Sequence, residues 1–223
     1  MDHFQGTSVA VTPQGDLVTY QNPVSPASCA DNHGDSRLNE IGRMDGNTSD
    51  PTTYFQGYAG DWLVLNFGRV TSENAKLVLR DDQKCADVCI NVQVLDAAED
   101  WLTVDVLHPR DFWSTEAVNL AAYVPTSGDF KVRLLWTAAH RLDYVGLDTS
   151  PPTQTRVSSA SPILAIHSAL GDVRAKLLFD DERYAELVSG QQITLSFQLP
   201  KNLQGMARDF ILYTDGYYYT IRT

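Results

Sequence analysis

His140, Arg141 and Asp143 stand almost side by side in the run WTAAHRLDYVGLDTS, from Trp136 to Ser150. An imidazole, a guanidinium and a carboxylate in one cleft would supply a base, a charged clamp and an acid, the parts of a hydrolytic site. The same groups at the end of a β-sandwich would form a binding rim. HRLD shares letters with the kinase catalytic loop, but neither a glycine-rich loop nor a magnesium-binding triplet accompanies it. His3, His33, His108 and His167 are scattered without HExxH or other ligand spacing, and no GxSxG elbow or phosphate loop is present. The chain therefore reads as a non-enzymatic protein for binding or surface assembly, with a calcium-stabilised carbohydrate-binding module and a hydrolase around His140 as the two alternatives. Trp113, closing HPRDFW, and Tyr58 add rings. A pyranose lays its apolar C–H face on such a ring while its hydroxyls seek polar partners. His140, Arg141, Trp113 and Tyr58 are thus the expected ligand-binding residues.

Acidic loops suggest a second chemistry. DNHGD brings Asp31 and Asp35 together, and DGNTSD places Asp45, Asn47 and Asp50 at alternating spacing. Calcium takes six to eight hard oxygens, which such loops can supply. The pattern is not an EF-hand, since Asp50 replaces the required glycine and Gln56 the closing glutamate. Arg37 and Arg43 are the rival means of neutralising these acids. Of the three cysteines, Cys85 and Cys89 frame CADVC, and Cys29 stands alone. A lone CxxxC lacks the four ligands of a zinc site, so the expectation is a Cys85–Cys89 disulfide with Cys29 unpaired. Asn47-Thr48-Ser49 is a glycosylation triplet that suits an exposed loop.

These groups need a scaffold. The chain has 223 residues and is 43% hydrophobic, enough for one sizeable core and a smaller unit. Its net charge of −11 disfavours a nucleic-acid partner. No apolar run is long enough to span a bilayer, and MDHFQGTSVAV does not read as a secretory leader.

Period-two alternation dominates. Ile90, Val92 and Val94 alternate with polar residues, as do Leu102, Val104 and Val106, then Phe130, Val132 and Leu134, then Ile193, Leu195, Phe197 and Leu199. WLVLNFG, AKLVLR and the segment 142–148 add further strands, with turn formers between them. Short helices are expected near Arg37–Met44 and Asp181–Val188, and AAHR is expected to be a connection between two strands. The architecture predicted is all-β: a jelly-roll sandwich over residues 1–150 with a long N-terminal loop. Pro151 and Pro152 mark a linker, after which residues 151–223 form a small β unit packed on the sandwich. Tyr217, Tyr218 and Tyr219 in DGYYYTIRT alternate on a closing strand, where an exposed row would invite pairing with another chain.

Several of these stretches resemble known proteins. YFQGYAGDWLVLNFG, VRLLWTAAHRLDYVGLDTS and RDFILYTDGYYYTI resemble β-rich modules of large secreted prokaryotic proteins with FG-GAP repeats, the ASPIC/UnbV-type architecture. LDYVGL, Leu142–Leu147, resembles the last strand of a galactose-binding-like jelly roll, which reads apolar-Asp-x-apolar-x-Leu. The resemblance implies an extracellular or cell-surface module without a defined enzymatic activity. It also implies a structural calcium between an early loop and the last strand, which would bring in Asp143 or Asp148. Expected partners are a second copy, another surface protein or a glycan.

Overall fold

The computed structural model describes residues 1–46, 50–71, 73–82, 89–96, 98–110 and 112–216. The strands in chain order begin with β1 (Asp2–Phe4), β2 (Ser8–Val11), β3 (Leu17–Tyr20) and β4 (Ser28–Asp31). A short helix α1 (Leu38–Ile41) precedes β5 (Phe55–Gly57), β6 (Trp62–Asn66), β7 (Lys76–Asp82) and β8 (Ile90–Leu95). Next come β9 (Trp101–Leu107), β10 (Ser114–Asn119), β11 (Lys131–Trp136) and β12 (His140–Asp148). The series closes with β13 (Pro162–His167), β14 (Gly171–Asp172), β15 (Ile193–Phe197) and β16 (Met206–Arg208). The chain forms two compact units, Gly6–Thr153 and a second made of Met1–Gln5 with Gln154–Thr223.

The first unit is a two-sheet sandwich. One sheet has the order β3-β2-β10-β7-β12-β5 and the other β4-β6-β11-β8-β9. All pairings are antiparallel except β10 with β2. Alternation explains the core. Leu63 and Leu65 of β6 and Val132, Leu134 and Trp136 of β11 point inward. They meet Leu77 and Leu79 of β7, Val118 of β10 and Leu142, Val145 and Leu147 of β12. Phe55 meets Trp136 edge-on with centroids 5.2 Å apart, a contact worth about 1 kcal/mol beyond its buried area.

The six-stranded sheet is less simple than one wet and one dry face. β12 is buried at eight of its nine positions because the N-terminal segment crosses its outer side. Val24 pairs with Leu147, Gly42 pairs with Tyr144, and Tyr144 donates its hydroxyl to the Pro23 carbonyl at 3.0 Å. The long loop expected before Asp50 is therefore partly ordered by β4, by α1 and by these bridges.

The second unit holds a three-stranded sheet, β14-β13-β15, and the pair β1-β16. Met1–Gln5 thus departs from the expected 1–150 grouping: Asp2, His3 and Phe4 pair with Arg208, Ala207 and Met206. Arg208 also binds the Asp2 carboxylate, and the N-terminal ammonium donates to the Asp209 carbonyl. The helix expected near Asp181–Val188 is absent. Arg183 instead turns back on Asp181 through its backbone and side chain, and Leu187 and Val188 stay exposed. A short helix without a buried stripe has nothing to stabilise it. Of the expected aromatic closing strand, residues 209–216 are not in a strand, and Tyr217, Tyr218 and Tyr219 lie outside the described residues.

Candidate ligand-binding site

β7 ends in Arg80, Asp81 and Asp82, between β10 and β12. Alternation sends Asp81 to the core side with Leu79, and Arg80 and Asp82 to the outer side. On β12 Arg141 lies opposite Asp82 and Leu142 opposite Asp81. A bulge then inserts Asp143 before Tyr144 resumes the register opposite Arg80. The result on the outer side is a paired set of charges. Arg141 donates Nε–H to Asp82 Oδ1 at 2.7 Å and a second N–H to Oδ2. Arg80 Nε lies 3.0 Å from Asp143 Oδ2.

Aromatic rings frame these guanidinium groups. The Arg141 Cζ lies 5.1 Å from the Trp113 centroid and 5.3 Å from that of Tyr54. Arg80 approaches Trp113 at 5.9 Å, and the Tyr54 and Trp113 rings are themselves 5.9 Å apart. Planar guanidinium stacking and bidentate pairing together fix the orientation of Tyr54. Hydrogen bonds to Asp82 and then Tyr54 hold Arg141 firmly protonated against the opposing effect of burial.

Tyr54 also walls a concavity of about 630 Å³. Tyr58 stands at the same opening with its ring exposed, and Arg37, Glu40 and Gln56 supply polar groups. The strand β5 positions Gln56 between them, and its amide donates to the His140 carbonyl at 3.2 Å. Beneath β5, Gly57 makes room for Trp136: a Cβ there would fall 2.6 Å from the indole ring. Arg37 is held at the mouth by Asp31 at 2.7 Å and by Glu40 at 3.2 Å.

The expected ligand residues are thus placed differently from one another. Arg141 and Trp113 are in contact, and Tyr58 lies on the neighbouring concavity with Tyr54. His140 is not a rim group. It is the first residue of β12, pairs with Gly57 and is fully buried. The connection is shorter than AAHR because the His140 carbonyl already accepts the Trp136 indole N–H at 3.2 Å. Tyr54, Gln56, Arg37 and Glu40 carried no motif. The β5–β12 pairing brings Tyr54 and Gln56 beside Arg141, and Arg37 joins them from the start of α1, 5.8 Å from the Phe55 ring, links that no local spacing reveals.

The expected metal ligands fall in separate places. Burial alone would raise the Asp31 carboxyl, but Arg37 and the backbone N–H groups of His33 and Asp35 hold it below the usual range. Asp35 lies 3.8 Å from the same guanidinium. Asp50 accepts the backbone N–H and hydroxyl of Thr52. Burial pushes the Asp143 carboxyl up, Arg80 opposes the rise, and Asp45 adds to it. Asn47 lies outside the described residues. Among the described residues, no cluster of three or more His, Cys, Asp or Glu side chains is arranged around a common point.

Cys85 also lies outside the described residues, and with it the expected Cys85–Cys89 bridge. Cys89 is buried, with Sγ 4.0 Å from His108 Nδ1. Burial pushes the Cys29 thiol up to about 12, which makes it unreactive. On β7 of the six-stranded sheet Asp81 is fully buried, and neither carboxylate oxygen has a hydrogen-bond partner among the described residues. Burial, Glu116 and Asp82 together raise its carboxyl well above the ordinary range. Burial likewise pushes Glu116 up to about 7.

No protein-family model matches the chain, so nothing in that comparison supports the likeness to FG-GAP-associated modules. No curated protein sequence matches it either. Among solved structures, the lectin domain of lectinolysin in complex with Lewis B antigen is 9% identical, with a TM-score of 0.37 over 59% of this chain and 99% of that one. A Streptococcus pneumoniae fucose-binding module is 10% identical, with a TM-score of 0.34 over 58% and 96%. CsCBM6-3 from Clostridium stercorarium in complex with cellobiose is 9% identical, with a TM-score of 0.31 over 67% and 87%. At TM-scores this low, the sandwich assignment rests on this chain's own sheet order and core. No helix among the described residues is long and apolar enough to cross a membrane.

Proposed function

We propose that this chain is a binding protein whose ligand is a carbohydrate, taken at the concavity between Tyr54 and Tyr58. The observation that carries the reading is the composition of that one wall: two phenol rings beside Arg37, Glu40 and Gln56. A sugar ring presents an apolar face and a rim of hydroxyls at once, and this combination answers both. Tyr54 is held in place by Arg141 and Trp113, so little is lost in ordering it when ligand arrives. The reading implies an extracellular or cell-surface setting, where glycans are displayed. His140 takes no part, because a fully buried imidazole cannot meet a glycosidic bond at the rim.

A glycan array with the full chain, followed by calorimetric titration of the best ligand, tests the reading. Tyr54→Ala and Tyr58→Ala should each weaken binding about fivefold while leaving the fold intact, consistent with the loss of about 1 kcal/mol of ring contact. Absence of any array signal, or unchanged affinity in both variants, would refute the site.

A further inference from the structure

We propose that the unit built from Met1–Gln5 and Gln154–Thr223 is an association surface for a second copy of this chain. The surface comprises the outer face of β13, the edge of β15 and the segment 210–213. Three observations converge on it.

The first is exposed apolar surface. Among the described hydrophobic residues of this unit, Ala165 and Val173 are buried, both of them small or medium in size. Several large ones lie open: Phe179 at 69%, Phe210 at 71%, Leu212 at 64% and Tyr213 at 85% of full exposure. On β13, Ala165 and His167 turn to the covered side while Leu164 and Ile166 share an uncovered one. A patch of this kind on a folded chain marks an interaction site.

The second is an available edge. In the order β14-β13-β15, the strand β15 pairs among the described residues on one side only, with β13. Its free backbone groups can continue the sheet into another chain.

The third is charge. Residues 6–153 carry 10 Lys and Arg against 20 Asp and Glu, whereas the remaining residues carry 7 against 8. Two copies of the acidic sandwich repel each other, while two copies of the near-neutral unit do not. Nor does this unit offer the net charge that would select a strongly acidic or basic partner. A second copy needs no complementary field, only a self-complementary apolar face.

Sedimentation velocity of the full chain over a wide concentration range tests the proposal. The expected result is a mass of at least two copies that dissociates on dilution. The double variant Leu164→Ser, Ile166→Ser should raise the dissociation midpoint at least tenfold. Tyr213→Ser, outside any strand, should raise it as well and guards against misfolding of the sheet variant. Tyr54→Ala is the control and should leave the mass unchanged, which separates this proposal from the carbohydrate reading. A folded wild-type chain that is monomeric at every concentration overturns the proposal. So does an assembly that neither Tyr213→Ser nor a folded sheet variant weakens.

Discussion

Arg141 donates Nε–H to Asp82 Oδ1 at 2.7 Å while its guanidinium carbon lies 5.1 Å from the Trp113 ring centroid. One side chain thus closes an ion pair across two neighbouring strands and braces the rings beside it. Arg141→Lys keeps the charge but loses the planar fork and the stacking. Stability should fall by about 1 kcal/mol in chemical denaturation, since the pair is partly solvent-exposed. Glycan affinity should fall severalfold through Tyr54, with no change in net charge to explain it.

Asp81 makes the sandwich sensitive to pH. Its folded carboxyl is raised by burial, by Glu116 and by Asp82, and Glu116 itself is pushed up to about 7. A carboxyl raised in the folded state stabilises most fully below its unfolded value, and that contribution is lost as pH rises through the folded value. Denaturation midpoints should therefore decline between about pH 4 and pH 7, the interval spanned by the unfolded carboxylate value and that of Glu116. Asp81→Asn should stabilise the chain at neutral pH by about 1–3 kcal/mol and flatten this profile. A variant less stable than wild type at neutral pH would mean that Asp81 is ionised and partnered.

Gly57 is a packing requirement. A methyl group there would lie 2.6 Å from the Trp136 indole, which is itself fixed by its hydrogen bond to the His140 carbonyl. Gly57→Ala should cost about 1–3 kcal/mol by overpacking. Thermal unfolding checks this, and near-ultraviolet circular dichroism should report a disturbed tryptophan environment.

The acidic loops can be tested for a cation directly. Arg37 already neutralises Asp31, so melting temperatures in calcium and in chelator should agree, and Arg37→Ala should lower both. If calcium raises the melting temperature of the wild type, the cation expected from the sequence at the loops of Asp31, Asp45 and Asp50 gains its support.

Much of the sandwich is written in short-range pattern. Leu63 and Leu65, Val132 and Leu134, and Ile90 and Val92 alternate because a strand turns successive side chains to opposite faces, whatever its partner. That rule determined an all-β chain and the positions of β6, β7, β8, β9, β11, β12 and β15, but it missed others such as β10 and β13. The same rule carried no information about partners. His140 and Arg141 are neighbours in sequence, yet pairing with β5 and β7 buries one and seats the other between Tyr54 and Trp113. Tyr54 and Arg141 are far apart along the chain, and only sheet registration brings them together. Likewise, Asp2 joins Arg208 because strand pairing is non-local. Local alternation sets which residues face inward, but the site is made by contacts between distant strands, and those are decided by the tertiary structure.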